Sequence, residues 1–545
     1  MKRFVPEEES LTVEFKSDLK PVSDDVIIDC VVAFANTEGG DLYLGVEDDG
    51  SISGIHSSHQ DITRLAAFIA NKTIPPQSVR VELLDEVRPV IKIQVAKSRS
   101  IVASSSGKTQ RRQIKMDGTP ENIPMYPYEY NTRLSDLSLL DYSAQPVPNS
   151  AYDDLDPVQR EHLRTILWNY NGEKALLELS DEDIDKALRL AVSVDGKLLP
   201  TFTGMLLIGR QEKLRDLVPT AEAAFIAYSG TQITANQTFH FPMLTSMERI
   251  FEFVDARNVE REMQIGLFRI TIPDYDRRAV REAIINAFVH RDYTQMGRVI
   301  VQIDDDGLSV SNPGGFIEGV TVDNIMTVEP HGRNPALADA LKRIGLAERS
   351  GRGVDRIFEG SLIYGRALPD YSESSTTSVR LFIPHGTPDE RFISMISEEQ
   401  RRQGTPLPIT SLLILNELRQ LRRMTVREIA GYTHIQEARV RAVVERMTEA
   451  GLLEASGIGR GRTYVMSAKA YRDKTAYVRQ TDIDAVRYPE LVLKLVEAKG
   501  SVTRKDVIEL LHVTPSQAYR ILQKLEKRNK LLKEGATRNT AYRKP

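Results

Sequence analysis

Apolar residues recur along the chain in blocks whose period switches between helical and alternating, and these blocks define its elements. Residues 24–36 are a largely apolar run that predicts a helix, capped by Ser23 and stopped at Gly39 and Gly40, where glycine admits a left-handed backbone. A hairpin is expected next, Asp41 to Val46 and Ser51 to Ile55, turning at Asp48, Asp49 and Gly50. Residues 199–209 read as a buried apolar segment. In the helix expected over 278–290, Glu282, Asn286 and His290 recur at every fourth position among Ala283, Ile284, Ala287 and Phe288. A polar row enclosed by apolar neighbours suits a helix that lines a pocket; the alternative is an amphipathic helix with its wet side outward. Strands follow over 298–304 and 308–311, turning at Asp306 and Gly307.

The pattern lapses over 142–156, 401–408 and 471–487, which read as linkers. They imply an α+β, multidomain chain with units at 1–142, 156–256 (an α/β connector), 257–388, 409–470 and 488–545. The last two are an internal repeat at a shift of 78 residues, which pairs Thr425 with Thr503, Ile435 with Val513, Leu453 with Leu531 and Tyr464 with Tyr542. Each copy predicts three helices (412–421, 425–430 and 436–450; 491–498, 503–510 and 515–528) and then a hairpin of small and basic residues.

Three helices and a basic hairpin describe a winged helix-turn-helix, whose third helix enters the major groove while the hairpin touches phosphate. The candidate nucleic-acid contacts are Arg439, Arg441, Arg446, Arg460 and Arg462 in the first copy, and Gln517, Arg520, Lys524 and Arg538 in the second. Use of both units for protein contacts or dimerisation is the competing reading.

Composition narrows the classes. A chain of 545 residues is too long for one hydrophobic core, and 41% hydrophobic with 27% charged residues excludes a disordered or mainly membrane protein. No apolar run approaches the roughly 18 residues of a spanning helix. Met1 to Phe4, followed by Glu7, Glu8 and Glu9, lacks the apolar core of a signal peptide, so a cytoplasmic protein with no membrane partner is expected. The single cysteine, Cys30, excludes an intrachain disulfide and a cysteine-based zinc site. The net charge of -4 conceals an asymmetry: residues 409–545 carry 27 Lys and Arg against 15 Asp and Glu, a local +12, and the remainder carries 45 against 61, or -16. A basic tail on an acidic body suits contact with a polyanion.

Two family resemblances add chemistry. The string Glu9 to Lys16, the run Ala33-Phe34-Ala35-Asn36-Thr37-Glu38-Gly39-Gly40 and the pair Gly45-Val46 closely resemble the Schlafen AlbA_2 domain over most of residues 7–140. The resemblance implies three acids holding a divalent cation, Mg²⁺ or Mn²⁺, for RNA cleavage. They map onto Glu9, Glu14 and Glu47, the third a glutamate where aspartate is more usual, with Asp48 and Asp49 adjacent and Lys16 set to neutralise a bound backbone. The bland alternative keeps Glu9 and Glu14 as surface carboxylates beside a strand. Gly107-Lys108-Thr109 is no P-loop, because Val102 stands where glycine is required, and His56 and His59 read as surface-loop residues.

The Glu282 helix, Asn312-Pro313-Gly314-Gly315, Arg333-Asn334-Pro335-Ala336 and Gly351-Arg352-Gly353-Val354 resemble the GHKL ATPase fold, in its "RecG C-terminal" variant, over about 257–388. This implies Glu282 as general base and Asn286 as an amide ligand of Mg²⁺. It sets Asn312, Gly314, Gly315, Gly351 and Gly353 around ATP, whose phosphates glycine lets backbone approach. Asn312 stands where typical members begin an Asp-x-Gly-x-Gly box, whose aspartate reads the adenine amine. The function expected is a DNA-binding transcriptional regulator, homo-oligomeric and controlled by ATP or another nucleotide. The rival is a metal-dependent Schlafen-like endonuclease acting on tRNA-like RNA, of phage-defence type; a third is an assembly of non-catalytic parts.

Overall fold

The computed structural model describes residues 4–467 except 116, 138, 266–267, 318, 330, 348–350 and 458, and residues 492–544 except 494, 497–498, 512–514, 528–529 and 535–540. The expected linker at 471–487 therefore lies outside the described residues.

The helix Asp24–Ala35 begins as expected, with the Ser23 hydroxyl accepting from the Val26 amide. It packs on a four-stranded sheet ordered Val13–Lys16, Gly40–Leu44, Val90–Val95 and Arg80–Leu84, whose first pair is parallel. The expected hairpin is displaced. Distant strands occupy both edges of Gly40–Leu44, and the return arm is reduced to a short turn after it, with a Val46–Ile52 bridge and the Ser51 and Gly45 carbonyls accepting the amides of Glu47 and Ser53. Long-range pairing wins because it buries Leu42 and Leu44 completely under the helix.

Residues 142–156 are not a loose linker. They form the short 3-10 turns Tyr142–Ala144 and Tyr152–Asp154, and the side chains of Asp141 and Ser143 accept the amides of Ala336 and Leu337 at 2.9 and 3.2 Å. The apolar segment at 199–209 becomes the helix Phe202–Ile208, buried at every residue and capped by Thr201. Beside it Arg160 and Asp185 form a buried ion pair at 2.7 Å.

A five-stranded sheet follows, in the order Gln232–Phe239, Ala223–Ser229, Val299–Ile303, Gly307–Pro313 and Ser378–Pro384. Its first two strands fall inside the segment expected as a connector; Ala223–Ser229 lies parallel to Val299–Ile303 and cannot be separated from the sheet. Residues 401–403, expected as linker, complete the helix Glu390–Gln403. One apolar cluster runs from Val147 to Met466, fusing connector, sheet and the first C-terminal unit. A second covers Ile27 to Val102, and a third covers Val492 to Tyr542.

The internal repeat is visible residue by residue. Val426–Thr433 and Glu437–Glu449 in the first copy correspond, at the 78-residue shift, to Arg504–Leu511 and Pro515–Lys527 in the second. Each copy carries a three-stranded sheet in the same order: Arg423–Thr425, Thr463–Met466, Leu453–Ser456, and Ser501–Thr503, Ala541–Arg543, Leu532–Glu534. Even the cap repeats, because Thr425 and Glu428 exchange the reciprocal bonds that Thr503 and Asp506 exchange. Among the described residues no helix is long and apolar enough to cross a membrane.

The clusters dictate a difference in cooperativity. Leu415, fully buried in the large cluster, should cost about 2–5 kcal/mol when truncated to alanine and loosen the central body. Leu522→Ala should loosen the second C-terminal unit alone. Hydrogen-exchange mass spectrometry checks this; loss of protection across the central body in Leu522→Ala would contradict it.

Candidate functional site

The helix Arg277–Val289 is capped by Asp276, whose carboxylate accepts the amides of Arg278 and Ala279. Between this helix and the strands Gly307–Pro313 and Ser378–Pro384 lies a cavity of about 660 Å³. The polar row expected to line a pocket does so: Glu282, Asn286 and His290 all border the cavity, opposite Val310, Val379 and Leu381. Glu282 is 5% exposed. The His290 side chain is exposed to the cavity space. The enclosing walls, together with Arg333, His331 and Lys342, lower its pKa to about 4.

The helix Gly353–Leu362 points its N-terminus at this row. A Cβ on Gly353 would lie 2.1 Å from Glu282 Oε1 and 3.5 Å from Asn286 Nδ2, and one on Gly360, two turns later, would lie 2.6 Å from the Ala279 side chain. The two glycines share a face, and only glycine lets the helices approach this closely. The result sets the first-turn backbone and the positive helix end beside a carboxylate and a carboxamide, an arrangement suited to phosphate and a divalent cation.

Asn312, Gly315 and Gly351 also line the cavity, whereas Gly314 does not. Gly314 has φ 92°, and a Cβ there would meet an Arg333 guanidinium nitrogen at 2.3 Å, so it makes room for Arg333 instead. The Asn312 amide donates to the Pro313 carbonyl at 3.1 Å. Tyr371 escaped the sequence reading because its irregular segment carries no periodic signal. It is buried in the cavity wall against Phe316, and burial, then the Glu282 charge, raises its pKa.

In the N-terminal unit, Glu14 is buried and clamped, with Lys16 Nζ at 2.5 Å from Oε1 and Arg112 at 2.7 Å from Oε2. The Arg112 guanidinium is fully buried and also donates to the carbonyls of Ser10 and Leu11. Glu9 accepts the Phe15 amide at 2.8 Å, and burial raises its pKa. Glu47 Oε1 is buried without a hydrogen-bond partner among the described residues. Among those residues no group of three acid, histidine or cysteine side chains is arranged to hold a metal ion, while the Glu9 carboxyl feels the charges of Glu14, Lys16 and Asp48. The Arg112 guanidinium stands beside Glu14. His59 is likewise no surface residue; its Nδ1 lies 2.9 Å from the fully buried Asp18 carboxylate.

The candidate nucleic-acid side chains divide. Arg441 and Arg446 are exposed on the helix Glu437–Glu449. Arg439 donates to Thr410 Oγ1 at 3.3 Å and acts electrostatically on Asp355, in the first turn of the helix Gly353–Leu362. Arg462 donates to Glu445 at 2.9 Å and lies over the Tyr464 ring. Arg460 lies in the turn Gly459–Gly461, and Gln517, Arg520 and Lys524 lie on the helix Pro515–Lys527; the side chains of all four are outside the described set, as is Arg538 altogether.

Comparison with known proteins gives three family matches: "Schlafen, AlbA_2" over residues 9–121, "Putative ATP-dependent DNA helicase recG C-terminal" (HATPase_c_4) over 297–383, and a "Domain of unknown function (DUF8451)" over 133–224. The second begins downstream of the Glu282 helix. Among solved structures, the DIP2311 protein from Corynebacterium diphtheriae is similar over 98% of this chain and 95% of its own, at 21% identity and a TM-score of 0.51, which speaks to the fold alone. The mRNA-binding domain of elongation factor SelB from E. coli, solved with SECIS RNA, matches 25% of this chain and 98% of its own at 17% identity. Its TM-score is 0.13. The chain is a multidomain α+β protein that joins a Schlafen AlbA_2 domain to an ATPase-like domain of the RecG C-terminal type.

Proposed function

We propose that this protein is a nucleic-acid-binding regulator, acting on DNA as a homo-oligomer through tandem C-terminal winged helices and controlled by a nucleotide in the cavity beside Glu282. The observation that carries the reading is the approach of Gly353 to Glu282 and Asn286, which brings a helix N-terminus, an acid and an amide to one wall. The same helix, Gly353–Leu362, packs against Ile409–Leu421, the first helix of the first C-terminal unit. A triphosphate at its N-terminus would add negative charge close to Asp355, which already feels Arg439. Ligand and nucleic-acid unit thus act on one element. Mg²⁺, when bound, would be held by Asn286 and would neutralise phosphate charge; Glu282 would orient or deprotonate water.

In the N-terminal unit the acids support a structural reading, because Glu14 already has two cationic partners. The alternative is a metal-dependent nuclease that uses Glu9, Glu14 and Glu47.

Three outcomes check the proposal. Asn286→Ala should weaken Mg²⁺-ATP binding at least 10-fold in calorimetry, while Glu282→Gln should bind within about 3-fold of wild type; a wild-type protein that binds no nucleotide sinks the reading. Arg441→Glu combined with Arg446→Glu should abolish salt-sensitive duplex-DNA binding without lowering the melting temperature, since both side chains are exposed. Unchanged affinity would remove these residues from the interface. Glu14→Gln should cost about 3 kcal/mol of stability, because Arg112 loses its buried partner. Mn²⁺-dependent cleavage of labelled tRNA by wild type, lost in Glu14→Gln at unchanged melting temperature, would overturn the structural reading of that acid.

A further inference from the structure

One cation in the cavity wall comes from outside the central sheet and its helices. Arg189 follows the helix Asp181–Ala187 in the segment between the AlbA_2 and ATPase-like domains, yet it borders the cavity together with Glu282, Asn286 and Lys342. Its φ is 55°, a left-handed backbone that residues with a side chain rarely adopt and that clusters at functional positions. Its side chain is exposed and makes no hydrogen bond or ion pair among the described residues. Nearby arginines are committed: Arg160 to Asp185 at 2.7 Å, and Arg343 to Glu173 at 3.0 Å.

The strained turn is held from several sides. The Arg189 amide donates to the Lys186 carbonyl at 3.0 Å, and Thr201 Oγ1 donates to the Arg189 carbonyl at 2.7 Å. Arg343 donates to the Ala187 carbonyl, and the Glu173 amide donates to the Arg343 carbonyl at 2.8 Å. Gly345 has φ 87°, and a Cβ there would lie 2.6 Å from the Gly172 amide nitrogen, so the two backbones are in direct contact. The segment therefore grips the end of the helix Pro335–Arg343, the turn that carries Lys342. Two cations, Arg189 and Lys342, are fixed on the cavity by this grip, in a region whose positive potential already helps to keep His290 neutral.

We infer that Arg189 is an anion-contacting residue which the intervening segment lends to the cavity, where its guanidinium binds phosphate of the nucleotide. This rests on the nucleotide reading above and extends it: the site is completed by a second module, so occupancy is felt by the segment that joins the two recognised domains. A guanidinium suits the task because it stays charged and offers several N–H donors in a fork that matches phosphate oxygens.

The backbone makes the test clean, because glycine favours φ 55° and Arg189→Gly removes the guanidinium while relieving strain. With full-length protein, Mg²⁺-ATP affinity is measured by calorimetry and melting temperature by calorimetric scanning for wild type, Arg189→Gly and Arg189→Lys. The expected result is at least a 3-fold loss of affinity in Arg189→Gly, recovery of more than half of that loss in Arg189→Lys, and no fall in melting temperature for Arg189→Gly. A loss below 3-fold, or a lysine variant as weak as the glycine variant, overturns the role of Arg189 while leaving the nucleotide reading standing. A wild-type protein that binds no ATP overturns both.

Discussion

Two helices touch in this protein at a distance that side chains forbid. Gly353–Leu362 lies on Arg277–Val289 only because Gly353 and Gly360 present bare backbone to Glu282 and Ala279. That single constraint decides where the cavity opens, which helix end faces it, and which acid it faces. It also decides the position of everything built on the outer side of Gly353–Leu362, including the helix Ile409–Leu421 and the unit that follows. The cavity and the first C-terminal unit are opposite sides of one element rather than two modules on a string. The single apolar cluster from Val147 to Met466 is the energetic form of the same statement.

Local signals in the sequence proved legible wherever the deciding interactions were local. The Ser23 cap, the polar row of Glu282, Asn286 and His290, and the 78-residue repeat all depend on neighbours within a few turns, and each appears in the structure within a residue or two. What failed depended on partners far away in sequence. Gly40–Leu44 carries a fair hairpin pattern, but Val13–Lys16 and Val90–Val95 bury its face better than a return arm could. Gly314 sits in a convincing glycine box, yet its positive φ accommodates Arg333, contributed from about 20 residues on. Arg189 had no local signal at all, since nothing in an isolated turn reveals that a cavity lies beneath it.

Charge behaves similarly. The acidic body and basic tail stand as a composition, but hydrogen bonds divide the basic residues into those already engaged and those held out to solvent. Arg439 and Arg462 have intramolecular partners in Thr410 and Glu445, whereas Arg441 and Arg446 extend from a helix whose buried face is fixed by Val440, Val443, Val444 and Met447. Long-range attraction needs only net charge, but close contact with a phosphate needs a side chain that gives up no existing bond. Among the described residues the side chains of Arg441 and Arg446 have no hydrogen-bond or ion-pair partner, which is the condition such a contact requires.

Arg333 links the cavity rim to the helix Pro127–Asp136. It is 3% exposed, paired with Asp136 at the end of the helix Pro127–Asp136, and donates to the carbonyls of His290 and Gly315 on the cavity rim. A guanidinium buried this far is tolerable only while its donors are met, because an unpaired buried charge costs several kcal/mol. Movement of the rim would therefore have to carry Asp136 with it or break the pair. Thr132 and Thr294 make a second contact between the same two parts, with hydroxyls 2.8 Å apart. The helix Pro127–Asp136, which follows the AlbA_2 match, is consequently tied to the loop that frames the cavity. With Arg189 reaching the cavity from the intervening segment and Arg333 reaching out from its rim to Asp136, a ligand bound beside Glu282 would bear on residues anchored on both sides of the cavity wall.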